Sequence, residues 1–166
     1  MRMDWSEVLL DLLNTTPVVD GVDTDVLADA ASARHWLHLR DGDGHGVDRV
    51  REVRDDLQRV VRGRAHADVL NRYLAAVRQV PRIHGDGLDW DLGASADWAA
   101  RVVLAWGRLQ NERPGRLRPC ANDECHLFLL DRSRAGTGRW CSMSGCGNRM
   151  KARRHYGRTV GRADGP

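Results

Sequence analysis

Four cysteines, and no others, lie in the last 47 residues of this 166-residue chain, as the pairs CANDEC (Cys120 and Cys125) and CSMSGC (Cys141 and Cys146) with fifteen residues between them. Two cysteines a few residues apart on a tight turn can point at one ion. A longer connection then brings in the second pair, the two-plus-two arrangement of a tetrahedral zinc site. The same residues also admit two disulfides, four buried free thiols or an iron centre. Disulfides are disfavoured in a reducing compartment, and ligand type and spacing favour zinc. A closed four-thiolate shell leaves no position for water or substrate, so one structural ion is expected and no catalysis at the metal. A segment of roughly 50 residues cannot bury a sizeable core, so metal binding supplies much of its folding energy.

The opening MRMDWSEVLLDLLNTT is interrupted by Asp4, Glu7 and Asp11 and lacks a signal-peptide pattern, which points to the cytoplasm. No apolar window reaches the roughly 20 residues of a membrane span. Charge divides the chain at Glu112. Before it, fourteen Arg face nineteen acidic residues, a balance of −5; from Arg113 on, eleven Arg and one Lys face four acids, a balance of +8. Such asymmetry suggests a nucleic-acid partner for the basic part. Because 25 of the 26 basic residues are Arg, their crowding behind the cysteines carries more weight than their number.

Apolar residues at three- and four-residue steps predict a helix over Trp5 to Asn14, a second capped by Thr24 with Val26, Ala30, Ala33 and Leu37 on its stripe, a third through Val50 to Val61, and a fourth through Val69 to Val77. Asp55 is placed to pair with Arg59 on the third. DGDGHG, residues 41–46, reads as a loop. Leu88, Trp90 and Leu92 alternate with Asp89 and Asp91 behind Gly85-Asp86-Gly87, which predicts one β-hairpin. Ser95 is the expected cap of a last helix carrying Trp98, Val102, Ala105, Trp106 and Leu109, and Pro114-Gly115 marks a boundary. The expected fold is mainly α with a small β-hairpin (α+β) over residues 1–112. Residues 113–166 follow as a four-cysteine zinc finger, with a hairpin at Leu127 to Leu130 and a turn at Ser133 to Gly138, and then a basic helix.

The run RLRPCANDECHLFLLDRSRAGTGRWCSMSGCGNRMKARRHY, Arg116 to Tyr156, resembles the CGNR zinc finger, named for the residues that stand here as Cys146, Gly147, Asn148 and Arg149. Both cysteine pairs, FLLDRSR, WCS and CGNRMKARR occur in order. Leu10 to Thr15, LDLLNT, looks like the opening motif of the ABATE-like N-terminal domain that accompanies such fingers. The resemblance implies a transcription regulator of bacterial stress responses, with an N-terminal domain that senses a small ligand. This N-terminal part is compact, so a pocket known from longer relatives is expected to be reduced or missing.

Beyond Cys146, the residues Arg149, Lys151, Arg153, Arg154 and Arg158 follow closely, and on a helix Arg149, Arg153 and Arg154 share a face. Arginine forks suit DNA phosphates or guanine edges. Gly147 is expected to allow a close turn out of the metal site, and Asn148 to cap the helix or bond a cysteine sulfur. The bland alternatives are a merely solvated basic face, or one docked on the acidic N-terminal part. His126 and His155 adjoin the cysteines without being needed as ligands. No phosphate-binding loop, serine nucleophile or paired-histidine metal motif occurs. Asp41, Asp43 and His45 lack the distal Glu of a calcium loop. Of the six Trp, Trp98 and Trp106 read as core, while Trp36 or Trp90 are candidates to line a ligand cavity.

Overall fold

The chain is described by a computed structural model covering residues 3–42, 46–92 and 96–153. Helix α1 (Trp5–Leu13) is capped by Asp4, whose carboxylate accepts from the Ser6 amide. Its apolar stripe goes entirely inward: Leu9, Leu12 and Leu13 have no exposed surface. Around it lie α2 (Ala30–His38), α3 (Val47–Val61) and α5 (Trp98–Glu112), which contribute Leu37, Val53, Leu57, Val102 and Leu109 to one core. A 3-10 turn (Ala67–Leu70) and the single-turn α4 (Asn71–Leu74) connect α3 to a hairpin of β3 (Val80–His84) and β4 (Gly87–Asp91). The architecture is therefore helical with small antiparallel hairpins, as the periodicity predicts.

Four local expectations are corrected. The second helix starts at Ala30, capped by Asp29, and not at Thr24. Before it the chain forms a short hairpin of β1 (Val18–Val19) and β2 (Val22–Asp23), whose turn residues Asp20 and Gly21 both have positive φ, as a type I′ turn demands. Thr24 closes that hairpin by donating its hydroxyl to the Pro17 carbonyl. The fourth helix is the 3-10 turn plus α4, not a continuous helix to Val77. Arg59 pairs with Asp56, and Asp55 with Arg54. Asp97 caps α5 with its carboxylate on the Ala100 amide, while Ser95 lies outside the described residues.

In the helical part, Arg54 and Asp56 are buried with partners. Arg54 reaches Asp25 at 2.6 Å and the Thr15 hydroxyl at 3.3 Å. Asp56, 2 % exposed, accepts from the Tyr73 hydroxyl at 2.8 Å and pairs with Arg59 and Arg72. Burial opposes ionisation of Asp56, yet these donors hold its carboxyl below the ordinary range. Burial, with the Asp56 bond, pushes the Tyr73 hydroxyl up to about 12.

The core continues past residue 113. After the turn at Gly115, β5 (Leu117–Pro119) pairs antiparallel with β6 (Phe128–Leu130), and Leu117 and Phe128 lie in the same cluster as α1 and α3. The strand expected near Leu127 to Leu130 thus pairs backwards across the first cysteine pair, not within the fifteen-residue connection. Asn14, at the end of α1, clamps the Phe128 backbone: its side-chain carbonyl accepts from the Phe128 N–H at 2.7 Å, and its side-chain amide donates to the Phe128 carbonyl at 3.3 Å. Arg62 covers the Phe128 ring at 4.2 Å and donates to the His126 carbonyl. Arg132 pairs with Glu7.

Asn14→Ala leaves both Phe128 backbone groups without their partner, which costs about 1–3 kcal/mol. A thermal melt of the zinc-loaded protein is expected to show a midpoint lowered by several degrees; an unchanged midpoint would show that the clamp contributes nothing.

Candidate metal centre

Each thiol is placed by a short backbone device. The Cys120 amide donates to the Leu127 carbonyl and the Cys125 amide to the Asn122 carbonyl, both at 2.8 Å, so the CANDEC segment folds back as a knuckle. The Ala121 amide reaches the Arg139 carbonyl at 2.8 Å and draws the second pair alongside. Ser142 then starts a π-helical turn (Met143–Gly147), its hydroxyl accepting from the Gly145 amide, and that turn carries Cys146 inward.

The connection between the pairs is organised by Asp131, 4 % exposed, whose carboxylate accepts from the Ser133 and Gly138 amides at 2.9 Å each and pairs with Arg118. The bonds from Ser133, then Gly138 and Arg118, hold its carboxyl far below the usual range. A Cβ at Gly138 would lie 2.8 Å from that carboxylate, so the loop closes only with glycine there.

The four Sγ atoms of Cys120, Cys125, Cys141 and Cys146 all lie within 4.8 Å of one another, and Cys125–Cys141 and Cys141–Cys146 are each separated by 3.7 Å. A disulfide requires about 2.05 Å, and the four are free thiols. Ligands about 2.3 Å from a tetrahedral zinc stand about 3.8 Å from each other, so the group has the dimensions of one zinc site. Cys120 and Cys146 are buried and the other two half-buried.

N–H groups of the described residues point at sulfur. Asn122, 1 % exposed, donates to Cys146 Sγ at 3.5 Å, and the Cys141 amide donates to Cys120 Sγ at 3.5 Å. Both would offset thiolate charge around a bound ion. Without an ion, burial pushes the Cys125 thiol up to about 11 and also raises Cys141. Cys146 is held low, because the Asn122 amide and neighbouring thiols outweigh the effect of burial. A zinc ion would supply the charge that lets all four ionise together.

Gly147 has no positive φ, and a Cβ there would meet the end of the exposed Met143 side chain at 2.9 Å and the Trp140 ring at 3.3 Å. Asn148 is exposed and its side-chain amide donates to the Ser144 carbonyl at 3.5 Å, with no bond to sulfur among the described residues. The sulfur-bonding role belongs to Asn122, whose place two residues after Cys120 does not by itself distinguish it from Asn148, two residues after Cys146.

Residues 148–153 are helical, with Arg149, Lys151 and Arg153 exposed. Arg153 pairs with Glu124 at 3.1 Å, a partner in the finger itself and not in the acidic N-terminal part. Arg154, Arg158 and His155 lie outside the described residues, as do Asp43 and His45. His126 is turned from the sulfurs, 3.4 Å from Asp23. Trp36 is buried edge-on against Trp98, which in turn meets Trp5 edge-on, whereas Trp90 is exposed on β4. A cleft of about 630 Å³ runs past Trp5, Arg49, Asp97 and Trp98, and neither Trp36 nor Trp90 lines it.

Purified protein is expected to hold one zinc per chain by elemental analysis. Asn122→Ala should weaken zinc binding about 10- to 100-fold in competition with a chromogenic chelator; unaltered affinity would remove the amide from the site. Each thiolate must lose its proton to bind metal, so affinity falls as pH falls. The stability contributed by Asp131 is present above its unfolded pKa of about 4 and is lost only as pH drops through its far lower folded value. Unfolding of the finger between about pH 7 and pH 5 is therefore expected to follow zinc release, and excess zinc should shift its midpoint to lower pH.

Residues 116–159 match the model of the CGNR zinc finger. Residues 6–127, well over half of the chain, match the ABATE model, described as "Putative stress-induced transcription regulator". No curated protein matches the chain. The two matches overlap on β5 and the CANDEC knuckle, where the helical part and the finger share their core. The chain belongs to the ABATE family and carries a CGNR zinc finger.

Proposed function

We propose that the chain is a DNA-binding transcription regulator whose zinc ion is structural, acting in the cytoplasm in a stress response. The observation that carries this reading is the helix leaving the metal centre. It begins directly after the turn that holds Cys146 and leaves Arg149 and Lys151 exposed, without an acidic partner among the described residues. Zinc fixes the start of this helix, and so the direction in which its basic side chains emerge. Arg153 would exchange its exposed pairing with Glu124, worth little in water, for a phosphate. Arg154 and Arg158 follow in sequence and extend the basic run. The chain is not an enzyme in this reading, because four thiolates complete the coordination of zinc.

A second reading makes the finger a brace for a small-ligand sensor or protein adaptor. It is favoured by the Asn14–Phe128 clamp, which ties the finger to the helical part, and by the cleft beside Trp5 and Trp98. Fluorescence anisotropy with a mixed-sequence duplex separates the two. Zinc-loaded full-length protein should bind, with affinity falling steeply between about 50 and 200 mM salt. The double substitution Arg149→Ala, Lys151→Ala should weaken binding across sequences and reduce the salt slope by about two. Affinity that ignores both salt and substitution would leave the brace reading in possession.

A further inference from the structure

All ten residues of β3 and β4 are exposed, and neither strand packs extensively on another element. A lone two-stranded hairpin is marginally stable in water. Its register sorts the side chains by face: Pro81 lies opposite Trp90 and Ile83 opposite Leu88, so these four share one face. Ile83 is 75 % exposed, Leu88 55 % and Trp90 58 %. The other face carries Arg82 and Asp89, with Arg82 paired to Asp91 at 3.0 Å. At the root of the hairpin, an apolar groove of about 660 Å³ runs between α4 and α5, lined by Leu70, Leu74, Leu92, Leu104 and Trp106. The buried Trp106 indole N–H beside it has no acceptor among the described residues.

We propose that this hairpin is a dimerisation arm whose occupant is a second copy of the chain. Five residues per strand make an arm of roughly 17 Å. When two arms lie antiparallel about a two-fold axis, the tip of each reaches the groove at the root of the other. The contact is then isologous and closed. Each apolar face offers roughly 400 Å², and two arms each covering an equal area of the partner bury about 1,600 Å², the size of a specific interface. The charge balance selects against other occupants. The apolar face carries no charge, and Asp89 and Asp91 outnumber Arg82 on the strands, which disfavours anionic lipid and nucleic acid.

Sedimentation velocity of zinc-loaded full-length protein, without DNA, tests this independently of any nucleic-acid role. The wild type is expected to pass from monomer to dimer over a micromolar concentration range. Ile83→Asp and, separately, Trp90→Asp should each remain monomeric while keeping the wild-type melting curve and one bound zinc, since neither side chain belongs to the core. A monomeric wild type up to several hundred micromolar overturns the proposal, as does dimerisation that survives both substitutions. A monomer whose Trp90 emission shifts on adding anionic vesicles, judged against Trp90→Phe, assigns the face to lipid and equally overturns it.

Discussion

Four sulfurs within 4.8 Å of one another are a costly arrangement unless something positive sits among them. Burial, together with the neighbouring thiols, keeps Cys125 and Cys141 protonated, and four thiolates brought together without a counter-charge would repel. A zinc ion turns that cost into the cohesion of the segment, because the pairs are held by ligation where a core is too small to do so. The knuckle at Asn122 and the direction of helix 148–153 are tied to the convergence of Cys120, Cys125, Cys141 and Cys146 on one point.

The rest of the molecule is joined to this centre by a few polar contacts of large sequence separation. Asn14 sits one residue after the last turn of α1, and both of its side-chain amide groups are used on a single residue 114 positions away. Its neighbours in the LDLLNT motif are committed elsewhere: Leu12 and Leu13 to the core, and Thr15 to the buried Arg54, which also pairs with Asp25. One short motif thus connects the helical core, a buried ion pair and the finger.

The helical faces were legible because burial imposes their period: Val8, Leu9, Leu12 and Leu13, and later Val50, Val53 and Leu57, all turn inward. So was the metal site, since two cysteine pairs at that spacing favour convergence on one ion over disulfides or free thiols. The β1–β2 hairpin carries its signal openly in Asp20-Gly21 between valines, but Thr24 just beyond is an equally good helix cap, and local chemistry does not choose between them. The sharing of roles between Asn122 and Asn148 was not legible. Both lie beside cysteines, and only the path of the backbone decides which amide faces sulfur. The pairing of β6 with β5 escaped for the related reason that it spans the first cysteine pair and is enforced by Asn14, far away in sequence.

Leu117 and Phe128 belong to a finger by their cysteine neighbours, yet they complete a hydrophobic cluster built by α1 and α3. Cutting the chain at its charge boundary would strip both residues of cover and turn a compact unit into one with a greasy flank. The finger is therefore not a portable cassette. Grafted onto another protein, it would bring its metal with it but lack the surface against which it was shaped, and any loosening of the helical part in this chain would be felt directly at the strand that leads to the thiolates.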